Sequence, residues 1–372
     1  MHRGDAPSRA DITARTGLNR STVGALVAEL ATLGLVVEAD PSPGNRVGRP
    51  SPRVLPAPEV AVIAVNPEVD AITAAVVGLG ARVLHRVRRE VEHPPGPEEA
   101  AAVVAELVSE LRERDKGSAR QIIGIGLAVP GLVRASDGVV RWAPHLGWRE
   151  VPFTRLVQDA VELPTFADND ATVGAHAEWL FGAGRAVNEL VYLNGGASGI
   201  GGGVVVRGLP LGGAHGYAGE FGQSRPGLRD SADRATTNGT LEDEVSRARL
   251  LAAVGLDGGD EPTLRAALMV ASDPRVGAEI DRQQRILAVA LANAINVFNP
   301  ELVVLGGFLA TLLEWSAPAL ESAIEASTVA TAWESVSIRP AALGEDRLLI
   351  GAAELALAPL LRDPAGYLGA QD

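Results

Sequence analysis

The amino-acid sequence predicts an α/β protein of two similar lobes with a cleft between them, preceded by a small helical head. Three observations predict it. Strand-like runs followed by helical runs occur twice in the body, as expected when two sheets are each covered by helices. Ahead of them, residues 9–33 carry a helix, a glycine and a second helix. The Pro/Gly stretch PSPGNRVGRPSP between head and body has the composition of a wing and linker.

In the head, RADITART (9–16) has helical spacing, and Gly17 stops it because glycine tolerates the left-handed conformation after a helix. Asn19 is the expected N-cap of a second helix reaching about Leu33. Val23, Leu26, Val27, Leu30 and Leu33 give that helix one apolar stripe. Leu35 to Glu38 suits a strand, and the Pro/Gly stretch after it suits a wing. Helix, short turn, helix is a helix-turn-helix pattern, here winged and spanning about 1–53. Its second helix places Asn19, Arg20, Ser21 and Thr22 where base edges and phosphates are met. Arg46 and Arg49 in the wing are placed to meet phosphates or the minor groove. The bland alternative is a helical hairpin used for dimerisation. Gly24 and Ala25 stand where a reading helix usually offers longer polar side chains, and the supporting helix expected before residue 9 is short or missing, which leaves the first helix of the domain truncated.

The body runs from about 58 to 372. Val60–Val65, Ala71–Val77 and Arg82–Val91 read as successive strands, and Glu98–Arg114 as a helix. Gln121–Val129 is a buried strand ended by Pro130-Gly131. A helix at 153–161, a short strand at 165–167 and a helix at 169–181 come next. Leu190–Asn194 and Ile200–Arg207 form a hairpin around a Gly-rich turn. Helices at about 240–254, 263–271 and 276–298, a strand at 302–305 and a final helix–strand–helix alternation complete it. The expected lobes are about 58–168 and 169–346, with helix 347–361 returning to the first.

Composition narrows the function. The chain has 372 residues and no cysteine, which excludes disulfides and cysteine-ligated metal. No apolar run reaches membrane-spanning length, and the first residues lack a signal-peptide core, so a cytoplasmic protein without a membrane partner is expected. Residues 1–53 hold seven Arg against five acids, so of the net charge of −13 the remaining residues carry about −15. An acidic body is repelled by nucleic acid, so any DNA contact belongs to the head.

Four segments, in order, carry a resemblance: GIGLAVPGLV (124–133), FADNDATVGAHAEW (166–179), GGASGIGGGVVVRGLPLGGAHGYAGEFGQ (195–223) and INVFNPELVVLGG (295–307). Together they resemble the ROK family of repressors and sugar kinases, whose fold is actin/hexokinase-like. The resemblance covers nearly the whole chain, including the head of the repressor branch. It implies that Asn169 hydrogen-bonds a sugar and that Asp170 stands where the kinases have a base that deprotonates a sugar hydroxyl. It implies sugar binding for Glu220 and Glu242 too, two carboxylates suited to hydroxyl pairs. Gly131 and the Gly212-Gly213 turn are expected to offer backbone contacts. Helix capping is the plain alternative for Asn169, and a solvated surface acid for Glu242.

The departures from the family bear on activity. Where its kinases have an Asp-x-Gly-Gly-Thr turn that holds magnesium and ATP phosphates, this chain has Asn66-Pro67-Glu68-Val69-Asp70. Asn66 replaces the Asp, no glycine is present, and Pro67 lacks an N–H. Where many members bind structural zinc, Gln223 takes the place of a His, and DRATTNGT (233–240) has no Cys. The expectation is therefore a sugar-responsive DNA-binding regulator, a repressor without kinase activity, cofactor or metal, in which Asp170 is a vestigial base and Gln223 joins the sugar ligands. Its expected partners are operator DNA, a sugar or sugar phosphate, and further copies of itself in a homodimer or homotetramer. The alternatives are an active sugar kinase and a ligand-independent DNA-binding or dimerisation protein.

Overall fold

The computed structural model describes every residue except 1, 4, 41–50, 229 and 370–372. The head comprises α1 (Arg9–Thr16), α2 (Arg20–Thr32), β1 (Val36–Ala39) and β2 (Arg53–Pro56). Ser8 and Asp11 form a reciprocal cap on α1, Gly17 ends it with φ 70°, and Asn19 caps α2. β1 and β2 pair antiparallel, so the wing hairpin closes beyond residue 53. The reason is packing: Val54 completes a small core with Val23, Val27 and Val36.

The first lobe is built on β3 (Val60–Pro67), β4 (Ala71–Gly78), β5 (Arg82–Glu90), α3 (Pro97–Arg114) and β6 (Gln121–Val129). A three-stranded flap comes next, β7 (Leu132–Val133), β8 (Val140–Ala143) and β9 (Trp148–Val151), then α4 (Phe153–Val161) and β10 (Thr165–Asn169). The sheet order is β10-β6-β3-β4-β5, with β3, β4 and β5 antiparallel and β6 and β10 parallel to β3. β3 is buried along its whole length, hence its unbroken apolar run.

The second lobe begins at α5 (Asp170–Phe181), succeeded by β11 (Leu190–Gly195), β12 (Ile200–Val206) and β13 (Leu209–Pro210). Then come α6 (Leu241–Glu244), α7 (Arg247–Ala253), α8 (Glu261–Val270), α9 (Pro274–Phe298), β14 (Leu302–Gly307), α10 (Phe308–Trp315), α11 (Ala317–Glu325), α12 (Ala330–Trp333) and β15 (Ser337–Pro340). Its sheet, β13-β12-β11-β14-β15, repeats the first: an antiparallel meander continued by two parallel strands. The chain closes with α13 (Arg347–Arg362) and α14 (Pro364–Gly369). This is the two-lobed architecture the alternation predicts.

One stretch differs. The helix expected over 240–254 is two helices, α6 and α7, broken at Val245–Ser246. Gln283 of α9 accepts from the Ser246 N–H and donates to its carbonyl, at 3.1 Å each, taking groups that a continuous helix would need.

α13 lies against β3, β6 and α5, and α5 packs on β12, so this helix pair joins the two sheets. Small residues allow the approach. A Cβ at Gly126 would overlap the Ala352 carbonyl, and one at Gly351 the Val173 carbonyl. The head packs on the same assembly: Leu35 belongs to the α13 core cluster, with Leu30 and Leu33 packed against it.

Candidate functional site

Asn169 ends β10 and Asp170 opens α5, so both stand at the mouth of the cleft between the lobes. The strand β10 extends to Asn169 because it pairs in parallel with β6 up to Val129. Asn169 spends its side chain on both motifs. Its Oδ1 accepts from the Thr172 N–H at 3.0 Å, capping α5, and its Nδ2 donates to the Gly131 carbonyl at 2.9 Å. Capping and site-building are thus the same act, and one amide N–H of this cavity-lining side chain has no partner among the described residues.

That cavity, of about 340 Å³, is lined by Gly131, Asn169, Asp170, Glu220, Gln223 and Glu242, all singled out from the sequence. Gly213 is not among its lining residues. It lies in an exposed loop at φ 70°, against Ala218, because the segment from 211 turns outward after β13. Trp142, His145, Asn194, Ser198 and Tyr217 line the cavity too. Sequence reasoning passed over them: they lie outside the four family-like segments or between their most distinctive residues.

The electrostatics are those of an acceptor site. Burial pushes the Asp170 carboxyl up to about 7; the Ala171 N–H partly offsets this, and the charges of Glu68 and Glu220 add to it. Burial likewise raises neighbouring Asp168 to about 6, against one N–H bond from Asn169. Glu220 is raised by the surrounding protein and then by Glu242. Gln223 donates to Glu242 Oε1, and the Ile200 N–H lies 3.3 Å from Glu242 Oε2. Gly199 (φ 141°) is required here, because a Cβ would run into that carboxylate. Among the described residues, no Arg or Lys lines the cavity.

A second cavity of about 580 Å³ adjoins the first and shares Gly196 with it. Its walls include Asn66, Glu68 and Asp70 at the β3–β4 turn, Gly195 to Ala197, and Arg86, Arg88, Arg247 and Arg347. Asn66 and Pro67 end β3, and the tight turn after them is closed by the Glu68 N–H to the Ala71 carbonyl at 2.7 Å. It presents two carboxylates where a phosphate cradle would present N–H groups. Burial, then Asp70, raises Glu68. Each lining arginine is already engaged: Arg86 with Glu345 and Asp346, Arg88 with Glu68 and Asp70, Arg247 with the Gly259 carbonyl, and buried Arg347 with Glu261, Asn194 and the Gly344 carbonyl. Asn66 Oδ1 is buried without a partner among the described residues. The β3–β4 turn lacks the glycine N–H groups of a phosphate cradle, although its amide oxygen and two carboxylates are oxygen groups of the kind magnesium takes.

The loop before α6 does not fit zinc. It is organised by Glu244, fully buried, which accepts from the Ala235 and Thr236 N–H groups, the Thr236 hydroxyl and Arg282. Burial alone would raise its pKa; these bonds win and hold it below the usual range. Among the described residues, no group of His, Cys, Asp and Glu could hold a metal ion.

In the head, Arg20 and Ser21 are exposed and Thr22 is half-buried at the start of α2. Asn19 Oδ1 is occupied by the Thr22 N–H at 2.8 Å and the Ser21 hydroxyl at 2.7 Å, so its amide nitrogen is what it has left to offer. Arg46 and Arg49 lie outside the described residues.

The model of the ROK family matches residues 62–358. The chain belongs to the ROK family. A xylose repressor from Caldicellulosiruptor bescii is 25% identical over 375 residues, covering 96% of this chain and 93% of the relative. A glucokinase from Halalkalibacterium halodurans is 27% identical over 281 residues, covering 70% of this chain and 85% of the relative. A solved ROK family transcriptional regulator, a homolog of the E. coli MLC protein, superposes with a TM-score of 0.75 at 24% identity, over 95% of this chain and 92% of that one. The ROK fold is therefore common to the body and to these proteins. None of the described helices is long and apolar enough to cross a membrane.

Proposed function

We propose that this ROK protein is a sugar-responsive, DNA-binding transcription regulator, a cytoplasmic repressor whose body holds a free sugar without phosphorylating it. One observation carries the reading: in the first cavity Asp170 and Glu220 keep acceptor oxygens free, while every arginine lining the second is already paired. Asp170, Glu220 and Glu242 favour a neutral polyol, since a phosphate's charge would meet three carboxylates. The repressor relative, which aligns along nearly the whole chain, supports the same reading.

Signal transmission has a physical route. Asp170 opens α5 at the sugar cavity, and the last turn of that helix, about 14–17 Å away, carries Trp179 and Phe181. Arg3 lies 4.6 Å over the Trp179 ring, and the His2 ring packs edge-on against Phe181 at 5.4 Å. His2 also bonds Glu354 of α13 at 2.9 Å, and Asp5 pairs with Arg185 at 2.7 Å. Closure of the lobes on a sugar shifts α5 against α13 and so shifts the head. In a dimer or tetramer this changes the spacing of the two reading helices, with Arg20, Ser21, Thr22 and Asn19 at their tips.

The test is fluorescence anisotropy of the full chain with a duplex from the gene's own upstream region and a scrambled duplex, at physiological salt, with neutral sugars and their phosphates. The expected result is selective binding to the native duplex, weakened by a neutral sugar. Equal, weak binding to both duplexes would sink the reading. The second reading, an active sugar kinase, is favoured by Asp170, whose pKa of about 7 suits a general base. ADP release that is lost in Asp170→Asn would establish it instead.

A further inference from the structure

Trp142 is 47% exposed, and it is the single exposed tryptophan among the five in the chain, all of which are described. Its position is nevertheless well held. β8 is the middle strand of the flap, and the register pairs Trp142 with Leu132 on one side and Arg149 on the other. Directly opposed residues share a face, so Leu132, Trp142 and Arg149 form one cross-strand row.

That row lines a further cavity of about 340 Å³ with Arg141, Glu150 and Tyr217. Leu132, Trp142 and Tyr217 also line the carboxylate cavity, so the two spaces are continuous. Trp142 comes from the first lobe, and Tyr217 from the Gly-rich segment of the second. Neither the Trp142 indole N–H nor the Tyr217 hydroxyl has a hydrogen-bond partner among the described residues. Arg141 and Glu150 pair at 2.8 Å, while Arg149 is unpaired among the described residues. The annex thus offers an aromatic face, free donors and a polar rim. That combination suits a pyranose ring, which has apolar C–H faces and hydroxyl edges.

We propose that the Trp142–Tyr217 annex is a second sugar subsite, and that the effector has at least two rings: a neutral disaccharide or short oligosaccharide whose terminal ring enters the carboxylate cavity. The proposal rests on the sugar-binding reading above and specifies its ligand class. A bare monosaccharide leaves the annex to water. A second ring covers the indole, which has no other cover among the described residues.

The experiment is calorimetric titration of the full chain with matched pairs: xylose and xylobiose, glucose and cellobiose, glucose and maltose, and glucose 6-phosphate. The readout is the ratio of monosaccharide to disaccharide Kd. In the wild type, one pair is expected to show a ratio of about ten, the effect of one well-packed aromatic contact. Trp142→Ala should bring that ratio close to one, and Trp142→Phe should retain most of it. Asp170→Asn should weaken both members of the pair alike and leave the ratio in place. Monosaccharide binding with no gain for any disaccharide overturns the subsite and leaves the sugar reading standing. Absence of binding by any sugar removes both. Tighter binding of glucose 6-phosphate than of any disaccharide assigns the annex to a phosphate and overturns the proposal. So does a ratio unmoved by Trp142→Ala with a change in mass by light scattering, which makes the indole a contact between copies.

Discussion

The two cavities beside Gly196 share a wall and differ in what their polar groups are doing. In the first, Glu220 makes no side-chain bond to the described residues, and Asp170 accepts only from its neighbour's N–H through one oxygen. In the second, arginines and acids cancel one another, in part across long sequence separations such as Arg86 to Glu345 and Asp346. A ligand gains affinity only from groups the protein has not already satisfied. On that ground the cleft crowded with charge is expected to be the poorer anion site, and the quieter, acidic cavity the better hydroxyl site. The number of charged residues lining a cavity says less than whether they are paired.

Three perturbations probe this contrast. The largest effect is expected at Arg347, 8% exposed and bonded to Glu261, Asn194 and Gly344. Arg347→Ala should cost about 3 kcal/mol of stability, because breaking a buried charge network strands its partners. Urea unfolding measures it, and a loss below about 1 kcal/mol would mean that the second cleft is not held by its own ion pairs.

The pH response comes next. The Asp170 carboxyl is raised by burial to about 7 from an ordinary 3.8, so the folded state binds its proton more tightly than the unfolded chain does. Its contribution to stability is therefore greatest at low pH, declines as pH rises from about 4 to 7, and then levels off. Between pH 5 and 7 the decline should be about 2 kcal/mol. Asp168, raised to about 6, adds to the same slope. Asp170→Asn should remove most of it. Sugar hydroxyls bind the ionised carboxylate better, so the affinity of the wild type should rise through pH 7 while that of the variant stays flat. A flat wild-type profile would break the assignment of Asp170 as the principal acceptor.

Arg88 should matter least. Its pairs with Glu68 and Asp70 are long, at 3.4 and 3.7 Å, and its side chain is 44% exposed. Arg88→Ala should change stability by less than about 1 kcal/mol and sugar affinity by less than about two-fold. A large fall in sugar affinity would show that the two cavities are coupled more tightly than their shared wall suggests.

Much of the site is legible in the sequence. Asn169-Asp170, Glu220, Gln223, Glu242 and Gly131 come together as the motifs imply, since each motif is short and its local geometry travels with it. Gly213 does not join them, because a Gly-Gly turn carries no information about which way its loop leaves the sheet. Trp142, His145 and Tyr217 escape sequence reasoning for a related cause. Trp142 becomes a cavity residue only when β8 pairs with β7 and β9, and Tyr217 only when the second lobe closes opposite it.

Sequence alone determined what depends on near neighbours: the caps at Asn19 and Asn169, the periodic helices and buried strands, the repeated lobes, and a glycine-free stretch at 66–70. Tertiary structure alone decided which charges are spent. Arg347 with Glu261 and Asn194, Arg282 with Glu244, and His2 with Glu354 are partners brought together from distant parts of the chain. Periodicity is a local property of the backbone. The desolvation and pairing of a charge depend on whatever the fold packs beside it.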